Sequence, residues 1–141
     1  MIDYKSIATR LDKLNEYVKF LKSYQNIPFT RFKKDYTLQG AVCRYFQLAI
    51  ECVTDIGEML ISSLGLRKPK DAKEVITILG ENKIIPANFA KRVAAVASFR
   101  NILVHDYLEI DFKKVHHHLQ NDIQDFDFYA KGIAQYIASK K

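Results

Sequence analysis

The residues best suited to chemistry stand together in the string Arg100-Asn101-Ile102-Leu103-Val104-His105-Asp106-Tyr107. An imidazole has an unperturbed pKa of about 6.5, so His105 can take or give a proton at neutral pH. A guanidinium stays charged and presents a planar fork of donors. Arg100 can therefore hold a phosphate and stabilise charge that builds up on it. Asn101 adds a neutral donor beside this pair. An arginine five residues before a histidine is a weak signal by itself. A buried Arg100 paired with Asp55, and His105 capping the last carbonyls of a helix, would explain the same two residues without catalysis.

The elements that must position these groups read as helices throughout. Ile7, Leu11, Leu14, Val18 and Leu21 step by four and three, which predicts a first helix from about Asp3 to Tyr24. Asn26, Pro28 and Thr30 interrupt it. A longer second helix carries Leu38, Val42, Phe46, Ile50, Val53, Ile56, Leu60 and Leu64 on one side, with a bend or a start expected at Gly40. Asp71 can cap a short third helix, with Glu74 in the capping-box position and an end near Gly80. Pro86 suits the first residue of a fourth helix, and Asp111 can cap a fifth. On that fifth helix Phe112, Val115, Leu119, Ile123, Phe126, Ala130, Ile133 and Ile137 form one seam. The expectation is an all-α, antiparallel bundle of about five helices filling one domain, residues 1–141.

The fourth helix, placed on a wheel at about 100° per residue, shows two faces. Phe89, Val93, Val96, Phe99, Leu103 and Val104 make a core face. Ala90, Ala94, Ala97, Ser98, Asn101 and His105 make a face of small and polar residues that would let another helix approach. Arg100 falls inside the core face, where a charge is costly unless an anion meets it. Glu51, Asp55 and Glu58 form an acidic line on the second helix and are the candidate partners, with Glu51 and Asp55 read as supporting acids. Arg100 and His105 lie about 140° apart on an ideal helix, which opposes their joint action unless the helix frays near His105, the length of the arginine spans the gap, or pairing with a second chain closes it.

RNILVHDY resembles the R-x4-H-x-Y signature of the HepT toxin family, a prokaryotic branch of the all-helical HEPN ribonucleases. The phrase AIECVTDIGEMLI, the Ile84-Ile85-Pro86 entry to the fourth helix and the LEID that follows the motif are similar to the family as well. The resemblance implies a HEPN-type fold and a metal-independent endoribonuclease toxin of a type VII toxin–antitoxin system. Arg100, His105 and Asn101 would be its active-site residues, with no cofactor. The 2′-OH of RNA would attack the adjacent phosphorus, leaving a 2′,3′-cyclic phosphate and a 5′-OH. The resemblance further implies a homodimer whose two motifs share one cleft, so that two histidines serve as base and acid. It implies an MntA-like nucleotidyltransferase antitoxin that transfers AMP from ATP to Tyr107 and silences the toxin. Asp106 departs from the small or polar residue of many relatives and adds negative charge beside the site. A reading from another class is a non-catalytic helical dimer that docks a nucleotidyltransferase. A third is simple nucleotide binding in the cleft.

Composition narrows the choice in other ways. The 141 residues are 48% hydrophobic and 27% charged, enough to bury a core, and the net charge of +6 tilts mildly toward polyanionic partners. The N-terminal MIDYKSIATRLDKL has no secretory pattern, and no run approaches the roughly 18 apolar residues of a membrane span, so a soluble, cytoplasmic protein without membrane contact is expected. Cys43 and Cys52 would lie about 13 Å apart on opposite helix faces, which forbids a disulfide between them and suggests two buried thiols. Consecutive His116, His117 and His118 point about 100° apart and cannot converge on one metal, so they read as a solvated face. RFKKDY, residues 31–36, reads as surface, with phosphate contact by Arg31, Lys33 or Lys34 as the alternative.

Overall fold

A computed structural model describes residues 1–105 and 107–141, the side chain of Tyr107 excepted. Every regular element among them is helical. The α-helices are α1 (Tyr4–Ser23), α2 (Phe29–Phe32), α3 (Tyr36–Ser63), α4 (Ala72–Glu81), α5 (Ala87–His105), α6 (Phe112–Asn121) and α7 (Ile123–Lys140), with a 3-10 turn at Tyr107–Glu109.

Side-chain caps set most of the helix starts. The Ser6 N–H donates to Asp3 Oδ1 at 3.0 Å, the Leu38 N–H to Asp35 Oδ1 at 3.0 Å and the Glu74 N–H to Asp71 Oδ1 at 2.8 Å. The Asp35 cap starts α3 at Tyr36, four residues before Gly40, so the helix passes through that glycine and does not begin there. The Glu74 carboxylate accepts from the Lys70 N–H at 3.1 Å, one residue before the expected capping-box donor. α5 opens at Ala87, one residue after Pro86, whose carbonyl accepts from the Ala90 N–H at 2.9 Å.

The expected five or so helices are seven among the described residues. Pro28 leads into the single turn of α2, which buries Phe32. The expected fifth helix is broken at Asp122, where side chains of the last turn of α6 bond to a carbonyl of that turn and to the capping Asp122. Asn121 Nδ2 donates to the His117 carbonyl at 2.9 Å, and Asp122 Oδ2 meets His118 Nδ1 at 2.5 Å.

α3 lies against α1, α4, α5 and α7 and is the central helix. α1 and α7 run antiparallel, since Tyr4 Oη donates to the Lys140 carbonyl at one end and Lys22 pairs with Asp127 at the other. Glycines let the helices close up. A Cβ on Gly57 would come within 2.5 Å of Val75 Cγ1, and one on Gly80 within 2.6 Å of Ala90 Cβ. Ala90, Ala94 and Ala97 are all buried. The small-residue face of α5 is thus filled by the chain's own packing over this stretch, and only Ser98, Asn101 and His105 at its end retain exposure. No helix among the described residues is long and apolar enough to cross a membrane.

Candidate functional site

Phe89, Val93, Val96, Phe99 and Leu103 anchor α5 in the core and so fix which way its polar residues face. The Arg100 guanidinium turns toward α3. Its Nε and Nη2 donate to Glu51 Oε1 at 3.2 and 3.0 Å, and Gln47 Nε2 donates to the same oxygen at 3.1 Å. The anion that Arg100 requires is therefore Glu51. Asp55 and Glu58, one and two turns along α3, line the same cavity without that contact.

This cavity, of about 480 Å³, lies between α3, residues 69–72 and α5. Arg100, Asn101, Glu51 and Asp55 all line it, together with Glu58, Lys70 and Asp71. Carboxylates thus outnumber cations on its wall. Partial burial pushes the Asp55 carboxyl above its ordinary pKa; Arg10 opposes the rise, Glu51 adds to it and Arg100 opposes it.

His105 is the last residue of α5 and is exposed, and it does not line this cavity. Helical spacing places it on the strip of Ser98 and Asn101, about 140° from Arg100. The structure therefore gathers Arg100, Asn101, Glu51 and Asp55 around one cavity and leaves His105, one turn beyond Asn101, outside it. Asp106 and the Tyr107 side chain, the expected modification site, lie outside the described residues.

Two participants escaped the sequence reading. Gln47 stands four residues before Glu51, a spacing at which helical side chains meet, so it was findable. Arg10 shares a cavity wall with Asp55 only because α1 packs on α3, and nothing local announces it.

The histidine run is not a uniformly solvated face. His116 is buried between Phe29 and Phe32, with ring centroids 5.5 and 5.7 Å away, and its Nε2 lies 2.6 Å from the Ile27 carbonyl. A carbonyl only accepts, so Nε2 carries the proton. His118 is half-buried and only His117 is exposed. In residues 31–36, Phe32 is buried and Asp35 caps α3, while Arg31, Lys33 and Lys34 are exposed. Cys43 and Cys52 are half-buried free thiols, less enclosed than expected, and burial pushes both up to about 11. Neither is poised as a thiolate.

Comparison with known proteins places these features in context. Residues 14–133 match the family described as Ribonuclease HepT-like. The chain is 29% identical to the tRNA nuclease HepT of Aphanizomenon flos-aquae, over 93% of this chain and 89% of that one. It is 31% identical to the mRNA nuclease HepT of Shewanella oneidensis, over 70% of this chain and 74% of that one. Among solved structures, the tri-AMPylated HEPN toxin of Shewanella oneidensis in complex with MNT antitoxin superposes with a TM-score of 0.83. It shares 26% identity, with 92% of this chain and 96% of that chain covered. A helical fold with this likeness, joined to a match spanning most of the sequence, makes the chain a member of the HepT-like ribonuclease family.

Proposed function

We propose that the chain is a metal-independent endoribonuclease toxin, acting as one domain over residues 1–141 and as a homodimer. The observation that carries this reading is the R-N-x3-H-x-Y motif at the end of α5 in a HepT-like fold, with Arg100 on a cavity wall and His105 open to solvent. His105 moves the proton, Arg100 binds the phosphate and stabilises the transition state, and Asn101 positions the substrate.

In this reaction the 2′-oxygen forms a bond to phosphorus as the bond from phosphorus to the 5′-oxygen breaks. One imidazole takes the 2′-OH proton, and a protonated imidazole gives one to the departing 5′-oxygen. The products are a 2′,3′-cyclic phosphate and a 5′-OH. Arg100 and His105 sit about 140° apart on one helix, so a single chain is poorly arranged for both roles. A two-fold pairing of protomers supplies the second imidazole and brings one motif to the other. The exposure of Asn101 and His105 at the end of α5 supports such a pairing. Glu51 holds Arg100 by one oxygen and is a positioning residue, and Asp55 is a more distant electrostatic support.

Control follows from the partner of the structural relative. An MntA-like nucleotidyltransferase would supply AMP to Tyr107. The tyrosine oxygen attacks the α-phosphorus of ATP and pyrophosphate leaves, and the added phosphate charge repels RNA. The family names support RNA as substrate, in a tRNA or an mRNA.

The test is incubation of the purified protein with total RNA in EDTA, comparing the parent with His105→Ala and Arg100→Ala and mapping the phosphate chemistry of the ends. The expected result is cleavage by the parent alone, with 2′,3′-cyclic termini. Equal cleavage by all three rejects the residue assignment. Intact RNA with every protein favours a non-catalytic module that docks a nucleotidyltransferase.

A further inference from the structure

A second groove, of about 520 Å³, lies on another side of α5, between it and α6. Ala95, Phe99 and Ile102 contribute apolar surface, and Lys113, Lys114 and His117 contribute polar heads. Its volume is within the range of about 300–1,000 Å³ typical of small-ligand sites. Its lining carries two lysines and no carboxylate among the described residues, the opposite of the acidic cavity that holds Arg100. The aromatic edge is built rather than incidental. The His118 ring lies 5.0 Å from the Phe99 ring and 6.0 Å from the His117 ring, and Asp122 holds it through Nδ1. Ile102 and His105 are three residues apart and share one helix strip, so the groove continues toward the exposed imidazole.

We infer that the groove between α5 and α6 is a subsite for one nucleotide of single-stranded RNA flanking the scissile bond. Its apolar floor takes the base, and Lys113 and Lys114 take adjacent phosphates. This rests on the ribonuclease reading and deepens it by naming where the substrate strand runs. The exposed Ile102 side chain and the exposed His117 ring, backed by buried Phe99, give a base apolar and aromatic surface, and ammonium groups at the rim suit the backbone. A second copy of the chain fits less well. A two-fold contact through this groove would enclose the Lys113 and Lys114 pairs of both protomers with no carboxylate among the described lining residues to offset them.

The experiment measures binding of a fluorescent single-stranded RNA, 2′-O-methylated throughout so that it cannot be cut, across a salt series. It compares the parent, Lys113→Gln/Lys114→Gln, Ile102→Ser, and a control pair Lys5→Gln/Lys19→Gln on α1, whose lysines are also exposed. The groove lysine pair is expected to weaken binding at least five-fold at low salt. It also flattens the plot of log K against log salt by about 1.4, since each single-strand phosphate contact contributes about 0.7. Ile102→Ser weakens binding without changing that slope. The control pair changes affinity less than two-fold. Equal losses from groove and control pairs, no binding by the parent, or a changed monomer–dimer balance at unchanged RNA affinity would each overturn the subsite. The exposed lysines carry the test even if Ile102→Ser destabilises the fold. A parent that binds through the groove but leaves ordinary RNA intact sinks the nuclease reading and spares the groove. A parent that cuts RNA while the groove variants bind it normally does the reverse.

Discussion

Glu51 offers the sharpest perturbation, because Arg100 reaches it by two hydrogen bonds to one oxygen and both side chains are about a third exposed, at 33% and 32%. An exposed ion pair contributes about 0.2–1 kcal/mol, and a hydrogen bond to a charged group in drier surroundings about 1.5–3 kcal/mol. A pair this wet belongs near the lower range, at about 1 kcal/mol, so Glu51→Ala should lower Tm by about 3 °C. Its effect on RNA cleavage divides in two. Freed from Glu51, Arg100 loses its fixed orientation, and kcat should fall about ten-fold, equivalent to about 1.4 kcal/mol. Loss of a negative charge beside the guanidinium removes competition for the substrate phosphate, which at about 1 kcal/mol lowers KM roughly five-fold. Glu51→Gln keeps an acceptor for the fork, so its kcat should fall less than three-fold while its KM falls as in Glu51→Ala. Steady-state cleavage of a short fluorogenic RNA reads both constants. Parental kcat and KM in both variants, with only Tm reduced, would show that Glu51 is structural and that the positioning argument is wrong. A raised KM would refute the electrostatic half.

Other consequences concern the fold and its response to pH. Tyr129 is fully buried, donates to the Val53 carbonyl at 2.8 Å, and has its pKa pushed upward by burial. Tyr129→Phe should cost about 1 kcal/mol in a denaturant titration near pH 7. The unfolded tyrosine ionises above a pH of about 10 while the folded one does not. The parent therefore carries an extra loss of about 1.4 kcal/mol per pH unit above that value, and the variant should lack it. Identical alkaline slopes would refute the burial argument. Gly80→Ala places a methyl against Ala90 Cβ and should destabilise by about 1–3 kcal/mol from overpacking, less about 1 kcal/mol regained in helix propensity. Thermal melts of the double variant with Ala90→Gly should show less loss than the two single changes summed. The Asp55 pKa is raised, so its cost to stability is present above its folded pKa and disappears as pH falls below the unfolded value. Asp55→Asn should therefore raise stability at pH 7 by less than about 1 kcal/mol and leave it unchanged near pH 2, as followed by urea titration at each pH.

Much of this architecture could be read from local order. The apolar steps of three and four marked α1, α3 and the seam of α6 and α7, Pro86 marked the start of α5, and Asp71 and Asp111 were legible as caps, whereas the Asp35 cap that starts α3 before Gly40 was not. The break at Asp122 was hidden because the apolar seam runs through it in phase, and periodicity registers the buried face without registering the backbone ladder. Arg100 could be recognised as a charge on a core face that needs an anion. The choice of Glu51 over Asp55 or Glu58 could not, since all three share one line and only the rotation of α3 against α5 decides which one arrives.

The sequence by itself determined the helical class, the motif and its family, and the residue types able to bind a phosphate and move a proton. Those properties reside in spacing and side-chain chemistry that travel with the chain. Tertiary structure decided that Ala90, Ala94 and Ala97 are spent on the chain's own packing and that His116 is buried against Ile27 while His117 faces solvent. It also decided that Arg100 and Asn101 line a cavity closed by α3 while His105 lies outside it. Each of these outcomes depends on which neighbour meets a given helix face, and that is set by the packing of the whole bundle, because one helix presents several faces and its own sequence does not name their partners.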